Sequence, residues 1–193
     1  MNINIELRII QAVWFILPAY IANLTPVNVS RIKELEKYGK PIDFGKSWGG
    51  VRILGDGKTW RGLFSGVAAG TITGLIQSTI HSDITEFLRD ISNDASIILP
   101  RMSVELAFML SLGALFGDMV ASFVKRRTGL KRGDPAPLLD QLDFVFGAFF
   151  FAWLLNPVYL DYDRFFVVVV ITPMIHVLTN FLAYLWKLKK HPW

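Results

Sequence analysis

Apolar residues in this chain gather into five blocks, at about 5–25, 62–82, 103–124, 143–160 and 164–186, with polar connections between them. A run of about 20 such residues matches the roughly 30 Å hydrocarbon core of a bilayer. Helices are expected, because they satisfy their own backbone polar groups in lipid. The fourth block is the shortest, nearly all apolar from Phe144 to Leu155. The first lacks a basic leader and a small-residue cleavage site, so it reads as a helix rather than a signal peptide. The pattern predicts an all-α integral membrane protein, one domain over 1–193, with five transmembrane helices and no internal repeat.

Composition agrees and adds exclusions. At 52% hydrophobic residues with a mean hydropathy of +0.41, the chain is too apolar for a soluble globule. It has no cysteine, which removes disulfides, zinc–thiolate sites and thiol nucleophiles. Sixteen of its 20 Lys and Arg fall in the connection between blocks 1 and 2, in that between blocks 3 and 4, and in the tail. By the positive-inside rule these segments face the cytoplasm and the N-terminus faces out. The outer connection 83–102 carries Asp83, Glu86, Asp90 and Asp94. Attraction to anionic headgroups accounts for Lys33, Lys37, Lys187, Lys189 and Lys190. It does not account for aspartates set among the cations.

Those aspartates lie in Gly117–Asp143, GDMVASFVKRRTGLKRGDPAPLLDQLD. Asp118 falls inside the third block, where an ionisable group costs about 2.5–3.5 kcal/mol on insertion scales and marks a site. Ser122 and Lys125 follow on the same helical face. Asp140 and Asp143, three residues apart, open the fourth block and can face inward together. Mg²⁺ takes one or two carboxylates with phosphate and water oxygens, and Asp118 with Asp140, joined by Asp143, would supply them. An Asp118–Lys125 or Asp118–Arg126 ion pair joining helices is the other reading. Gly133, Pro135 and Pro137 make an extended turn that brings Asp134 toward bound phosphates. Arg126, Lys131 and Arg132 can neutralise a triphosphate.

A second constellation is Gly55–Gly62, GDGKTWRG. It fails as a P-loop, because the first glycine of that pattern falls on Arg52 and no strand precedes it. It still suits phosphate. Gly57 permits close backbone approach, Lys58, Thr59 and Arg61 are donors beside Asp56, and the helix that follows begins there. Upstream, Pro41–Lys46 (PIDFGK) and Trp48 read either as an interfacial stretch shaping a lipid groove, with Asn23, Pro26, Asp43 and Lys46 along it, or with Trp48 as a plain interface anchor. Asn23 and Pro26 are placed to unwind the first helix over the site. His81 and His176 have no clustered partner and read as packing residues, and Glu105 reads as reaching water.

The run GDMVASFVKRRTGLK resembles the G-D-x-x-x-S-x-x-K-R-x-x-G-[IV]-K of the membrane phosphatidate cytidylyltransferases, and LDQLD resembles their L-D-R-x-D with Gln141 for arginine. The intervening segment is shorter here and the family's P-G-H-G-G is absent. GDGKTWRG, PIDFGK and GDPAPLLDQLDF are similar to the archaeal branch, the CDP-archaeol synthases, over most of the chain. The resemblance implies Mg²⁺-dependent transfer of a cytidylyl group from CTP to unsaturated archaetidic acid (2,3-di-O-geranylgeranylglyceryl phosphate), releasing pyrophosphate. It implies Asp118 and Asp140 as metal ligands and Ser122, Lys125 and Arg126 on the phosphate side. Expected partners are CTP, the isoprenoid glycerol-ether phosphate and the cell membrane, with the site on its cytoplasmic face. No nucleic acid is expected, and a homodimer stays open.

Two rivals remain at this point. A CDP-alcohol phosphotransferase needs D-G-x-x-A-R-x₈-G-x₃-D-x₃-D. Asp56, Gly57, Arg61 and Gly70 fit, but Trp60 replaces the alanine and Gly74 and Ser78 replace the last two aspartates. A small transporter would use Asp118 and Asp143 as pore charges, but five spans without an inverted repeat argue against it.

Overall fold

The computed structural model describes residues 5–95, 97–130, 134 and 136–185. Five long helices make the fold: α1 (Ile5–Val29), α2 (Trp60–Ser92), α3 (Val104–Arg127), α4 (Leu139–Leu155) and α5 (Tyr162–Leu185). Among the described residues, α1, α2 and α3 are long and apolar enough to cross a membrane. α4 has 17 residues, about 25 Å at the usual helical rise. Large apolar side chains such as Phe64, Ile72, Leu75, Phe150 and Phe166 are exposed around the outside, as lipid contact requires. The buried core is mostly small residues and aromatics: Ala12, Phe15, Ala19, Ala107, Leu110, Ala114, Val145 and Phe149.

All five predicted blocks are helical, with shifted ends. α2 runs ten residues past the expected boundary, so Asp83, Glu86 and Asp90 are helical rather than in a loop. Thr59 caps its start by accepting a hydrogen bond from Gly62 N, and Asn93 closes it at φ 51° in the left-handed region. α4 begins earlier than expected, at Leu139, so Asp140 and Asp143 both sit in its first turns.

The expected unwinding at Pro26 does not occur; α1 stays helical through Pro18 and Pro26. Each proline lacks the N–H that would bind the carbonyl four residues back. Pro18 thus frees the Trp14 carbonyl, and the buried Gln77 of α2 donates Nε2 to it at 2.7 Å. Pro26 frees the Ala22 carbonyl, and Gly66 packs onto it so closely that a β-carbon there would lie 2.7 Å away. Neighbouring α2 residues therefore take up both interruptions.

Short spacings also join α3 to α4. A β-carbon at Gly117 would run into the Asp143 carbonyl, and Gly113 and Gly147 meet backbone to backbone. The glycine just before Asp118 therefore brings that aspartate beside α4. At the far end, His81, Arg89, Gln11 and Trp14 bind the carbonyls of Leu99, Ile97, Ile98 and Pro100, which gives His81 the packing role expected of it. Glu105 is exposed, as expected.

Candidate functional site

The end of α1, the start of α2, the end of α3 and the start of α4 converge at one end of the bundle, together with the basic 30–59 connection. Residues 40–42 pair with 58–60: Ile42 N donates to Lys58 O at 2.8 Å and Trp60 N to Lys40 O at 3.1 Å, around a Pro41–Thr59 bridge. This pairing fixes the backbone of Asp56-Gly57-Lys58 against the entrance of α2.

Asp43 holds the rest of the connection together. Its carboxylate accepts from Gly45 N, Leu54 N and Gly55 N, each at 3.0 Å, and from Arg52 Nη2 at 3.0 Å. Burial alone would push this carboxyl up, but the Arg52 guanidinium and the three N–H donors outweigh it and hold it well below the usual carboxylate range. Arg52 also reaches Asp56 at 2.8 Å. Asp43 is thus turned inward as a structural hub, which corrects its expected place in a lipid groove. Lys46 is exposed and does not line the cavity described below.

The sequence reading missed a hairpin, Ser47–Trp48 paired with Val51–Arg52. Its turn is Gly49-Gly50, both with positive φ of 60° and 77°, and Gly-Gly between short apolar runs was the available signal. Arg127 fastens the hairpin to the end of α3. It donates to the carbonyls of Trp48, Val51 and Arg52, and Trp48 stacks on Phe123. Gly55, at φ 89°, lies against Arg126, whose Nε would be 3.5 Å from a β-carbon there.

Two lysine–carboxylate pairs cross this end of the bundle. Lys58 Nζ meets Asp118 Oδ2 at 2.5 Å, and Lys125 Nζ meets Asp140 Oδ1 at 2.6 Å. The alternative reading of an Asp118 ion pair with Lys125 or Arg126 is not what forms; its partner is Lys58. Lys125 lies two turns further along α3 and reaches α4, while the α2 entrance supplies the cation for Asp118. Asp143 lies within electrostatic range of Asp118, Asp140 and Lys58. Asp140 also accepts from Ala136 N at 3.0 Å, capping the turn before α4.

A cavity of about 580 Å³ opens beside Asp118. Lys58, Arg61, Asp56, Gly57 and Thr59 line it from the α2 side, and Asn23, Pro26 and Val27 from the end of α1. The two motifs that sequence singled out separately are thus brought together by the Lys58–Asp118 contact. Asn23 and Pro26 do face this space, as part of a continuous helix. Ser122 is buried one turn beyond Asp118, and Gln141 is half-buried in the first turn of α4; neither lines the cavity. Arg126 turns its Nη1 to Leu130 O at 2.5 Å. Asp134 is half-buried ahead of α4. Lys131, with Arg132, Gly133 and Pro135, lies outside the described residues.

Among the described residues no three carboxylate or imidazole groups are clustered tightly enough to enclose a metal ion. The donor chemistry still suits Mg²⁺, which commonly uses one or two protein carboxylates and fills its remaining positions with water and substrate oxygens. Asp118, Asp140 and Asp143 offer hard oxygen donors at one end of two touching helices, and Asp118 and Asp140 carry lysines as counter-ions.

Comparison with known proteins places this arrangement. The family model described as CarS-like: CDP-archaeol synthase matches residues 4–193. The CDP-archaeol synthase of Pyrococcus abyssi is 44% identical over 186 residues, covering 96% of this chain and 98% of that protein. The one from Methanosarcina barkeri is 43% identical over 184 residues, covering 92% and 99%. A solved structure of an intramembrane enzyme for archaeal membrane lipids biosynthesis superposes with a TM-score of 0.64 at 36% identity, covering 89% of this chain and 94% of that one. Similarity this high along nearly the full length makes the chain a membrane-embedded enzyme that belongs to the CDP-archaeol synthase family.

Proposed function

We propose that this protein transfers a cytidylyl group from CTP to 2,3-di-O-geranylgeranylglyceryl phosphate at the cytoplasmic face of the cell membrane, with Mg²⁺. The observation that carries the reading is the Lys58–Asp118 contact in the wall of a cavity at the basic end of the bundle, with a second contact, Lys125–Asp140, between the same end of α3 and the start of α4. Alternating ammonium and carboxylate groups suit a polyphosphate with its divalent ion, because each carboxylate can turn to the metal and free a lysine for phosphate.

The lipid phosphate is already an anion and needs no general base. One of its oxygens forms a bond to the α-phosphorus of CTP. The bond from that phosphorus to the bridging oxygen breaks, and the electron pair leaves with pyrophosphate. The barrier comes from repulsion between anions and from charge building on the departing group, so positioning and electrostatics dominate. Bound Mg²⁺ would supply charge neutralisation at the transferring and leaving phosphates. Asp118 and Asp140, with Asp143 close by, are the residues to hold it. Lys58, Arg61, Lys125 and Arg126 share the triphosphate and the lipid phosphate, and the N-terminus of α2 adds its dipole. Gly57 and Thr59 shape the phosphate path, Ser122 packs behind Asp118, and the isoprenoid chains leave sideways into lipid.

The test is incubation of the purified protein with Mg²⁺, labelled CTP and the geranylgeranylglyceryl phosphate. CDP-lipid and pyrophosphate should form together, and Asp118→Asn and Asp140→Asn should abolish both while remaining folded. Release of CMP from CDP-lipid and an alcohol, with no reaction from CTP, would overturn the assignment.

A further inference from the structure

Two cations line the cavity, Lys58 and Arg61, and they stand in opposite electrostatic states. Lys58 is neutralised by Asp118 at 2.5 Å. Arg61 has no ion pair among the described residues, and its Nη1 is shut off from solvent with no hydrogen-bond partner. A shielded guanidinium N–H without an acceptor is costly, so its position points to an anionic ligand that completes it.

The surroundings say which anion. Arg61 is the second residue of α2, and the cavity it lines is walled by the end of α1 as well as by Asp118. Gly39 lies against it, and a β-carbon there would be in ordinary contact, 3.5 Å, with Arg61 Nη2. Beside this corner the cavity wall turns apolar at Pro26, Val27 and Leu63, and Leu24, Val27 and Phe64 are exposed on the outer surface of α1 and α2. Glu36 lies at the rim, exposed to solvent. A planar guanidinium suits two phosphate oxygens at once, and the nearby apolar wall suits a chain attached to that phosphate.

We propose that Arg61 binds the phosphate monoester of the lipid acceptor, whose chains leave between α1 and α2, and that the Lys58–Asp118 and Lys125–Asp140 groups serve the nucleotide. This divides the cations shared in the reading above and rests on it.

The experiment compares wild type, Arg61→Gln and Arg61→Lys for KM toward the lipid phosphate, KM toward CTP, and direct binding of CTP with Mg²⁺. Thermal melting checks that each variant is folded. Loss of a charged hydrogen-bonding partner predicts a rise in lipid KM of roughly tenfold or more in Arg61→Gln. CTP binding should change by less than about twofold by the same reasoning, and Arg61→Lys should recover part of the lipid affinity. Equal loss of affinity for both substrates, or loss for CTP alone, overturns the assignment. If Arg61→Gln does not fold, Gly39→Val serves instead, because it presses on the guanidinium without removing it; unchanged lipid KM there also overturns the proposal. Failure of the cytidylyltransferase reading would look different: wild type itself would make no CDP-lipid.

Discussion

Asp43 is the residue whose environment differs most from the sequence expectation. Its depressed ionisation means that the folded state refuses a proton which the unfolded chain accepts near pH 4. The stabilisation is therefore fully present above that value and is lost as pH falls toward the lower, folded one. Asp43→Asn should lower the melting temperature and expose the 47–52 hairpin to protease at neutral pH. The gap to wild type should narrow below about pH 4, followed by melting in detergent across pH 3–7. A gap independent of pH would show that the carboxylate charge does not hold the hub. Lys125 acts at the same scale: it contacts Asp140 at 2.6 Å, and its role is charge placement. Lys125→Ala should depress turnover far more than folding, read by comparing kcat with the melting temperature. Wild-type turnover would contradict the role.

At the scale of elements, the prolines and glycines act as pairs across interfaces. Gln77 answers the carbonyl that Pro18 leaves open, so Gln77→Leu should strand it and cost about 1–3 kcal/mol, measured by denaturation in detergent. The α3–α4 contact is stricter. Gly117→Val would force a side chain into the Asp143 carbonyl, push the helices apart and separate Asp118 from Asp143. Overpacking of this kind costs about 1–3 kcal/mol or more, and Mg²⁺-dependent CTP binding should fail even at temperatures where the variant is folded. The G-D pair was legible in the sequence as a motif. That its glycine sets the helix spacing and its aspartate uses that spacing was not legible, because helical periodicity carries no distance to a neighbouring helix.

For the whole molecule, the charge asymmetry makes a prediction about orientation. The chain has no cysteine, so single cysteines report cleanly. Lys46→Cys should react with an impermeant thiol reagent only from the cytoplasmic side, and Glu86→Cys only from outside, in intact cells against inverted vesicles. The reverse pattern would place the nucleotide-side cavity away from CTP. Arg8 reaches Asp163 at 2.5 Å, so α1 and α5 start at the same end, in keeping with helices that alternate in direction.

The five helices, their membrane character and the choice of Asp118, Asp140 and the Gly55–Gly62 loop as candidates come from the sequence, because hydrophobic length, the placement of buried charge and cationic asymmetry are local or compositional quantities. Which lysine serves which aspartate needed the tertiary structure. Lys58 and Asp118 are 60 residues apart, and an ion pair over that separation depends on where two helix ends meet. The role of Asp43 needed it too, since a carboxylate between Ile42 and Phe44 reads equally well as a surface charge until three N–H groups and an arginine are folded onto it. The unpaired state of Arg61 is also a tertiary fact. Any arginine can find a carboxylate in sequence space, and only the packing of α1 against α2 shows that this one, among the described residues, has none.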